Sequence, residues 1–422
     1  MNRTTLNRAS LLIVAILLIA SQQAAAQAGH LDPTFGSGGI VTTDFGDQTG
    51  SSNVASANAV AIQSNGKIVV GGGVPSHTGF PVPAVARYNT NGSLDTTFGT
   101  GGMVSIPSIE DVPFTAITLQ TDGKIVAVAG GFTAYVVRYT SAGVLDSTFG
   151  TGGIVTLNEI LGPSASGVLV QPDGKILVAD RSLFRLLSDG QFDTSFGTGG
   201  SARTAGYPAT GLALLPNGKI LVASSVLGTS GFISQYDSNG ALDTTFGIAG
   251  QLASPGTAAG LVLLGTGDFL AAGSLTNNSL QAPIYTVTGF AVSRYLGVGI
   301  ADASFGANGG TDTVIPNFPI VTTSGLAVQP SGDIVTLGTA NQSGQTAFAL
   351  ARYTATGQLD TTFGSNGTVV TSFGVGFQAP SVSANGLAIQ SDGKIVAVGG
   401  YSVFVPYHGF DTAFKVIRYL GQ

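Results

Sequence analysis

Leu31-Asp32-Pro33-Thr34-Phe35-Gly36 is the stretch that decides the fold, because the chain repeats it. Drifting copies begin at Leu94, Leu145, Phe192, Leu242, Ala301 and Leu359, between 47 and 63 residues apart. A period of this size marks a chain built from supersecondary units, and it overrides the two or three domains that a length of 422 residues would otherwise suggest.

Each copy is followed by the same sequence of signals. After Leu94–Gly99 come a short apolar segment (Gly102 to Ser105), a variable stretch, and the run Ala116 to Gln120. Asp122-Gly123 then marks a hairpin, read from sequence as a two-residue turn with positive φ. The runs Lys124 to Val128 and Tyr135 to Tyr139 follow, separated by a second variable stretch, and Ala142-Gly143 leads into the next copy. The hairpin glycine recurs at Gly66, Gly123, Gly174, Gly218, Gly267, Gly332 and Gly393. Arg-Tyr closes the unit at Arg87, Arg138, Arg294, Arg352 and Arg418, and becomes Arg185-Leu186 and Gln235-Tyr236 in the other two. The runs are almost continuously apolar, as in strands covered on both faces.

Four strands per unit and seven units predict an all-β fold, a seven-bladed β-propeller of four-stranded antiparallel blades. The chain stops after Arg418-Tyr419-Leu420-Gly421-Gln422, where every other unit continues into the motif. The N-terminal strand, Gly39 to Asp44, is therefore expected to complete the C-terminal blade and close the ring, which removes the free sheet edges. The strand before the Asp-Gly turn is expected innermost, with Ala59, Ala61, Ala213, Ala327 and Ala388 where blades converge.

The motif, together with Gln171-Pro172-Asp173-Gly174-Lys175-Ile176 and Ala351-Arg352-Tyr353, resembles the delta-60 repeat family of secreted bacterial proteins across nearly all of the chain after its leader. The resemblance implies an exported β-propeller and no established activity. Asp268 and Asp333 depart from it in place of the turn lysine, as does Gln235 in place of the arginine.

Residues 1–28 read as a secretory signal peptide, leaving 29–422 as a single domain. Arg3 and Arg8 are its basic region, Leu11 to Ala20 its apolar core, and Ala24-Ala25-Ala26 or Ala26-Gln27-Ala28 its small-x-small cleavage site. The apolar core is shorter than the roughly 20 residues of a membrane span, and no later segment is long enough to span. The expected location is secreted or periplasmic.

Charged residues make up only 9% of the chain, against about 25% on average, and net charge is −6. With no cluster of Lys or Arg, nucleic acid is not an expected partner. There is no cysteine, hence no disulfide, thiol nucleophile or thiolate metal site. No P-loop, dinucleotide fingerprint, nucleophile elbow or calcium loop is present. No cofactor or metal is expected, and the domain is expected to be a monomer.

A residue present in every unit serves the unit. Asp32, Asp95, Asp146, Asp193, Asp243, Asp302 and Asp360, each two residues before Ser or Thr, read as Asx-turn acceptors paired with the arginine, not as a ring of metal ligands. Phe35, Phe98, Phe149, Phe196, Phe246, Phe305 and Phe363 read as wedges between blades.

Function is expected instead on the two loop sets that vary, which alternation of a meander puts on one face. The candidates there are Glu110, Asp111, Glu159, Asp180, Arg181, Arg203, Tyr207, His77 and His408, with Asp47 entering from the closing blade and Tyr285, Tyr401 and Tyr407 as loop aromatics. These imply a non-enzymatic binding module for an extracellular or periplasmic protein, peptide or glycan. The alternatives are a hydrolase or lyase using the Glu110, Asp111 and Glu159 carboxylates and a structural envelope protein.

Overall fold

The computed structural model describes residues 27–46, 55–76, 78, 80–131, 133–157, 167–204, 208–226, 230–276, 288–374, 379–406 and 409–422. The leader up to residue 26 lies outside them. The described residues are all-β, without a helix, and form four-stranded antiparallel sheets consistent with a propeller.

One sheet carries the logic of all of them. Phe114–Leu119 pairs with Ile125–Ala129, that strand with Ala134–Tyr139, and the last with Ile154–Leu157. The same order recurs in the sheets that begin with Gly167–Val170, Ala209–Leu214, Thr257–Leu263 and Ile320–Val328. Two further sets of four strands, beginning with Ser56–Ile62 and Ser381–Ile389, are joined by a bridge between Ser56 and Gly400. The last set is completed by Ile40–Thr43, which pairs antiparallel with Gly409–Tyr419 from Ile40↔Ile417 to Thr43↔Phe414.

The first strands lie beside one another in succession: Ser56–Ile62 by Phe114–Leu119, then Gly167–Val170, Ala209–Leu214, Thr257–Leu263, Ile320–Val328, Ser381–Ile389 and again Ser56–Ile62. Second strands are buried on both faces. Ile125, Val126, Ala127 and Val128 are consecutive and fully buried, which accounts for the unbroken apolar runs.

The core is a series of layers between sheets. Val126, Val128 and Val136 of one sheet pack against Ile176, Val178 and Phe184 of the next, with Phe149 between them. Phe98 stands likewise against Ile125 and Ala127, and Phe35 joins Ile68 and Val70 to Val396, Phe414 and Val416. All seven motif phenylalanines are buried, at 2% exposure or less, and each removes on the order of 150–250 Å² from water.

The hairpin differs from its sequence reading. Gly123 N–H donates to Gln120 C=O (2.9 Å) and Gln120 N–H to Lys124 C=O (2.9 Å), so the loop has three residues, and of Asp122 and Gly123 only the glycine has positive φ (84°). This is a turn followed by a left-handed residue, not the two-residue form. Asp122 contributes through its carboxylate, which accepts Lys124 N–H at 3.1 Å.

Candidate functional site

Successive antiparallel connections emerge at alternate ends of each sheet. One end carries the Asp-Gly hairpins and the Leu-Asp-x-Thr-Phe-Gly connections; the other carries the variable loops. The two ends use charge differently.

At the hairpin end the repeat assembles a fixed cluster. Asp95 Oδ1 accepts the N–H and hydroxyl of Thr97 (3.2 and 2.7 Å), the Asx-turn expected of Asp-x-Thr. Asp95 Oδ2 accepts Arg87 Nε and Lys67 Nζ, both at 2.7 Å. Arg87 lies 4.6 Å over the Phe98 ring and extends Nη1 to Ser141 C=O in the next repeat (2.5 Å). One guanidinium therefore joins the hairpin, the aromatic wedge and the neighbouring sheet. Arg138 reaches Ser188, Arg185 reaches Ser238 and Arg418 reaches Thr90 in the same way.

The departures in the repeat complement one another. Asp302 and Asp360, whose hairpins lack lysine, are held by Arg294 and Arg352 at 2.7 Å. Asp243, whose repeat has Gln235, is held by Lys219 at 2.6 Å. Asp32, Asp146 and Asp193 keep both partners. Burial works against the charge of Asp32, but the Thr34 bonds and the cations of Arg418 and Lys394 outweigh it and lower its pKa to about 2. The Lys219 and Thr245 bonds bring Asp243 to about 2 against a smaller burial effect, and Asp95, Asp146 and Asp193 lie lower still. These carboxylates are ionised and already saturated with donors, as structural residues should be.

The variable-loop end brings together part of the predicted set. Asp180 and Arg181 form the short connection before Ser182–Leu186, and Arg203 lies opposite Ser182 in the adjoining strand. Thr204 locks the group by donating its N–H (3.3 Å) and hydroxyl to Arg181 C=O, while Asp180 C=O accepts Ala209 N–H at 3.2 Å. Both arginine side chains are exposed. Glu110 and Asp111 sit on another loop, both exposed. Glu110 accepts Thr78 Oγ1 at 3.2 Å, and Asp111 holds a left-handed backbone (φ 63°). Asp47, His77, Glu159, Tyr207, Tyr285, Tyr407 and His408 lie outside the described residues. Tyr401 is not a loop residue: it belongs to the strand Ile395–Val405, and its ring lies 4.1 Å from Lys415 Nζ. Among the described residues no three His, Asp or Glu side chains gather as a metal-holding group.

Three features were missed by sequence reasoning. The first strands of six of the four-stranded sets each contain a one-residue bulge, at Asn58, Thr115, Thr210, Ala259, Ser324 and Asn385. A bulge re-aims its side chain, and here five of the six are neutral hydrogen-bonding residues. Asn385 Nδ2 reaches Ala57 C=O (2.9 Å) and Asn58 Nδ2 reaches Phe114 C=O (2.9 Å), so these amides run from one innermost strand to the next. Second, the loop end exposes aromatic surface: Phe80, Phe404 and Phe410 are about half exposed, and the last two meet edge to face at 5.5 Å. Third, a cavity of about 840 Å³ opens at the hairpin end, lined by Gln63, Gln329, Gln390, Lys394, Arg418 and Asn91 among others.

Comparison with known proteins bears on the repeat. A family model described as a domain of unknown function (DUF5122) beta-propeller matches residues 63–98, 120–149, 171–196, 215–246 and 329–363. Five repeats of the chain thus match that family, consistent with a delta-60-type repeat β-propeller. No curated protein matches the chain. Among solved structures it is similar to a chain of the S. cerevisiae Dbp5 assembly with Nup159, Gle1, IP6 and ADP (11% identity, TM-score 0.43, covering 90% of this chain and 94% of that one). It is also similar to the polysaccharide lyase Uly1 (11% identity, TM-score 0.44, covering 86% and 89%).

Proposed function

We propose that this delta-60-type repeat protein is an exported, single-domain propeller of seven blades that works as a binding module, with its variable-loop end as the binding face. The observation that carries the reading is the division of labour between the two ends. The repeated Asp, Arg and Lys side chains are engaged with one another at the hairpin end. The loop end exposes Phe80, Phe404 and Phe410 and carries the exposed arginines Arg181 and Arg203. Aromatic surface mixed with neutral polar groups and a few arginines suits a protein, peptide or glycan ligand.

Seven copies of the motif and the succession of first strands returning to Ser56–Ile62 support a ring of seven blades. Pairing of Ile40–Thr43 with Gly409–Tyr419 supports closure by the N-terminal strand. The basic, apolar and small-residue regions of the leader support export to the periplasm or the medium.

The test is a glycan and peptide array probed with the purified domain and with the triple variant Phe80→Ser, Phe404→Ser, Phe410→Ser. A ligand captured by the parent should be lost at least about tenfold in the variant, with melting unchanged. Capture that survives the triple change but disappears in Gln63→Ala, Gln390→Ala would move the site to the hairpin-end cavity and refute this reading. Turnover of an arrayed polysaccharide that is lost in Glu110→Ala, Glu159→Ala would replace it with the enzyme.

A further inference from the structure

Gln27 to His30 fill a turn that the rest of the chain builds from internal residues. In six of the seven copies the glycine that closes the motif sends its N–H to a turn carbonyl; five do so to the next repeat's turn: Gly36 to Asn91, Gly99 to Ala142, Gly150 to Asp189, Gly197 to Asn239 and Gly306 to Thr356, all at 2.8–2.9 Å. For Gly364 the acceptor is Ala28, at 2.9 Å. The residue after the acceptor is always a glycine with positive φ. A Cβ on Gly92 would strike the Phe35 ring, on Gly143 the Phe98 ring and on Gly357 the Phe305 ring; on Gly29 it would strike Phe363. Gly29 N–H also donates to Leu420 C=O, and Leu420 N–H to His30 C=O, both at 2.8 Å. Ala28–His30 and Tyr419–Gly421 are therefore two halves of one repeat turn. Ala28 is buried in it, Gln27 C=O accepts His30 N–H at 3.1 Å, and the Gln27 side chain is exposed.

We propose that the leader is cut between Ala26 and Gln27, and that Gln27-Ala28 stay as the first residues of the folded domain. The proposal rests on the export reading above and decides between the two small-x-small sites. Cleavage after Ala28 would remove the acceptors of Gly364 N–H and His30 N–H and empty a position that five other turns fill from within the chain. Cleavage after Ala26 removes none of these contacts. In the step, a leader-cleaving protease of the export machinery adds water across the Ala26–Gln27 peptide bond. Ala26 leaves as the carboxylate end of the leader and Gln27 gains the free amine, at a solvent-exposed position beside Asp333, Arg352 and Gln422.

The experiment is export of the full chain from a bacterial host, followed by intact mass and N-terminal peptide mapping. The expected product begins at Gln27, as glutamine or, after loss of ammonia, as its cyclised form. A product beginning at Gly29 or later overturns the proposal while leaving the export reading intact. A product that retains Met1 overturns the export reading and the proposal with it. Leaderless chains starting at Gln27 and at Gly29 give an independent measure by urea unfolding. The shorter chain should lose about fivefold or more in its folded-to-unfolded ratio, as the lost hydrogen bonds require. Equal stability of the two chains would count against the proposal.

Discussion

Asp32 and Asp146 occupy the same cluster in different repeats, and replacing each by alanine tests whether the N-terminal strand holds the ring shut. Asp32 is 1% exposed and Asp146 5% exposed. Each accepts an arginine Nε at 2.8 Å (Arg418 and Arg138) and a lysine Nζ at 3.3 Å (Lys394 and Lys124). Each also accepts the N–H and hydroxyl of the threonine two residues on. Removing either carboxylate leaves a buried guanidinium, 4% exposed in both repeats, without its counter-charge, at a cost of about 3–5 kcal/mol. The difference lies in the chain. Arg138 is eight residues from Asp146, whereas Arg418 is 386 residues from Asp32. If the N-terminal strand is docked in solution, Asp32→Ala and Asp146→Ala should cost the same within about 1 kcal/mol. Urea unfolding is the assay, since guanidinium salt would screen the pair. A cost near zero for Asp32→Ala beside a full cost for Asp146→Ala would refute closure by this strand.

Other outcomes follow from the same geometry. Tyr88 donates to Thr43 (2.7 Å) and Tyr419 shares a hydroxyl–hydroxyl hydrogen bond with Thr371 (2.8 Å), but Tyr139 packs with Ile106 at the corresponding position, and its buried hydroxyl has no partner among the described residues. Tyr139→Phe should therefore raise stability by about 1 kcal/mol, while Tyr88→Phe and Tyr419→Phe lower it by a similar amount, as read from denaturation midpoints. Gly143→Ala, with φ 82° and the Phe98 ring 2.8 Å from the added carbon, should cost about 1–3 kcal/mol by the same assay; Gly152→Ala, with φ 61° and open space, should cost less. The motif carboxylates are all lowered below the usual value near 3.9 in the folded chain, so their contribution is present above that value and is lost as pH falls, for Asp32 and Asp243 through about 2 and for Asp95, Asp146 and Asp193 at lower pH still. Urea midpoints should be flat between pH 5 and 7 and drop below pH 4; a midpoint that held down to pH 2 would contradict the charged cluster.

The sequence was legible where it repeats, because a residue found in every unit must answer a demand made by every unit. Recurrence alone assigns Asp95 to a turn and Phe98 to a wedge. The Arg87 guanidinium could be paired with the carboxylate, but its reach to Ser141 could not be read, since backbone carbonyls leave no trace in sequence. Gly143 leads from one unit into the next motif in sequence; that it also makes room for Phe98 appears only when neighbouring repeats are packed. The bulges at Asn58, Thr115, Thr210, Ala259, Ser324 and Asn385 have no single residue in common, and a shift of pairing by one residue is a property of the backbone register that an apolar run does not encode. The loop end was the least legible for the reason that makes it the candidate face. Phe80, Phe404 and Phe410 occur outside the repeat, so nothing elsewhere in the chain indicates whether they are core or surface, and only their half exposure separates them from the seven buried phenylalanines. A repeat identifies its own structural residues by multiplicity. Function on such a scaffold has to be sought among residues that occur once, and those require the folded molecule.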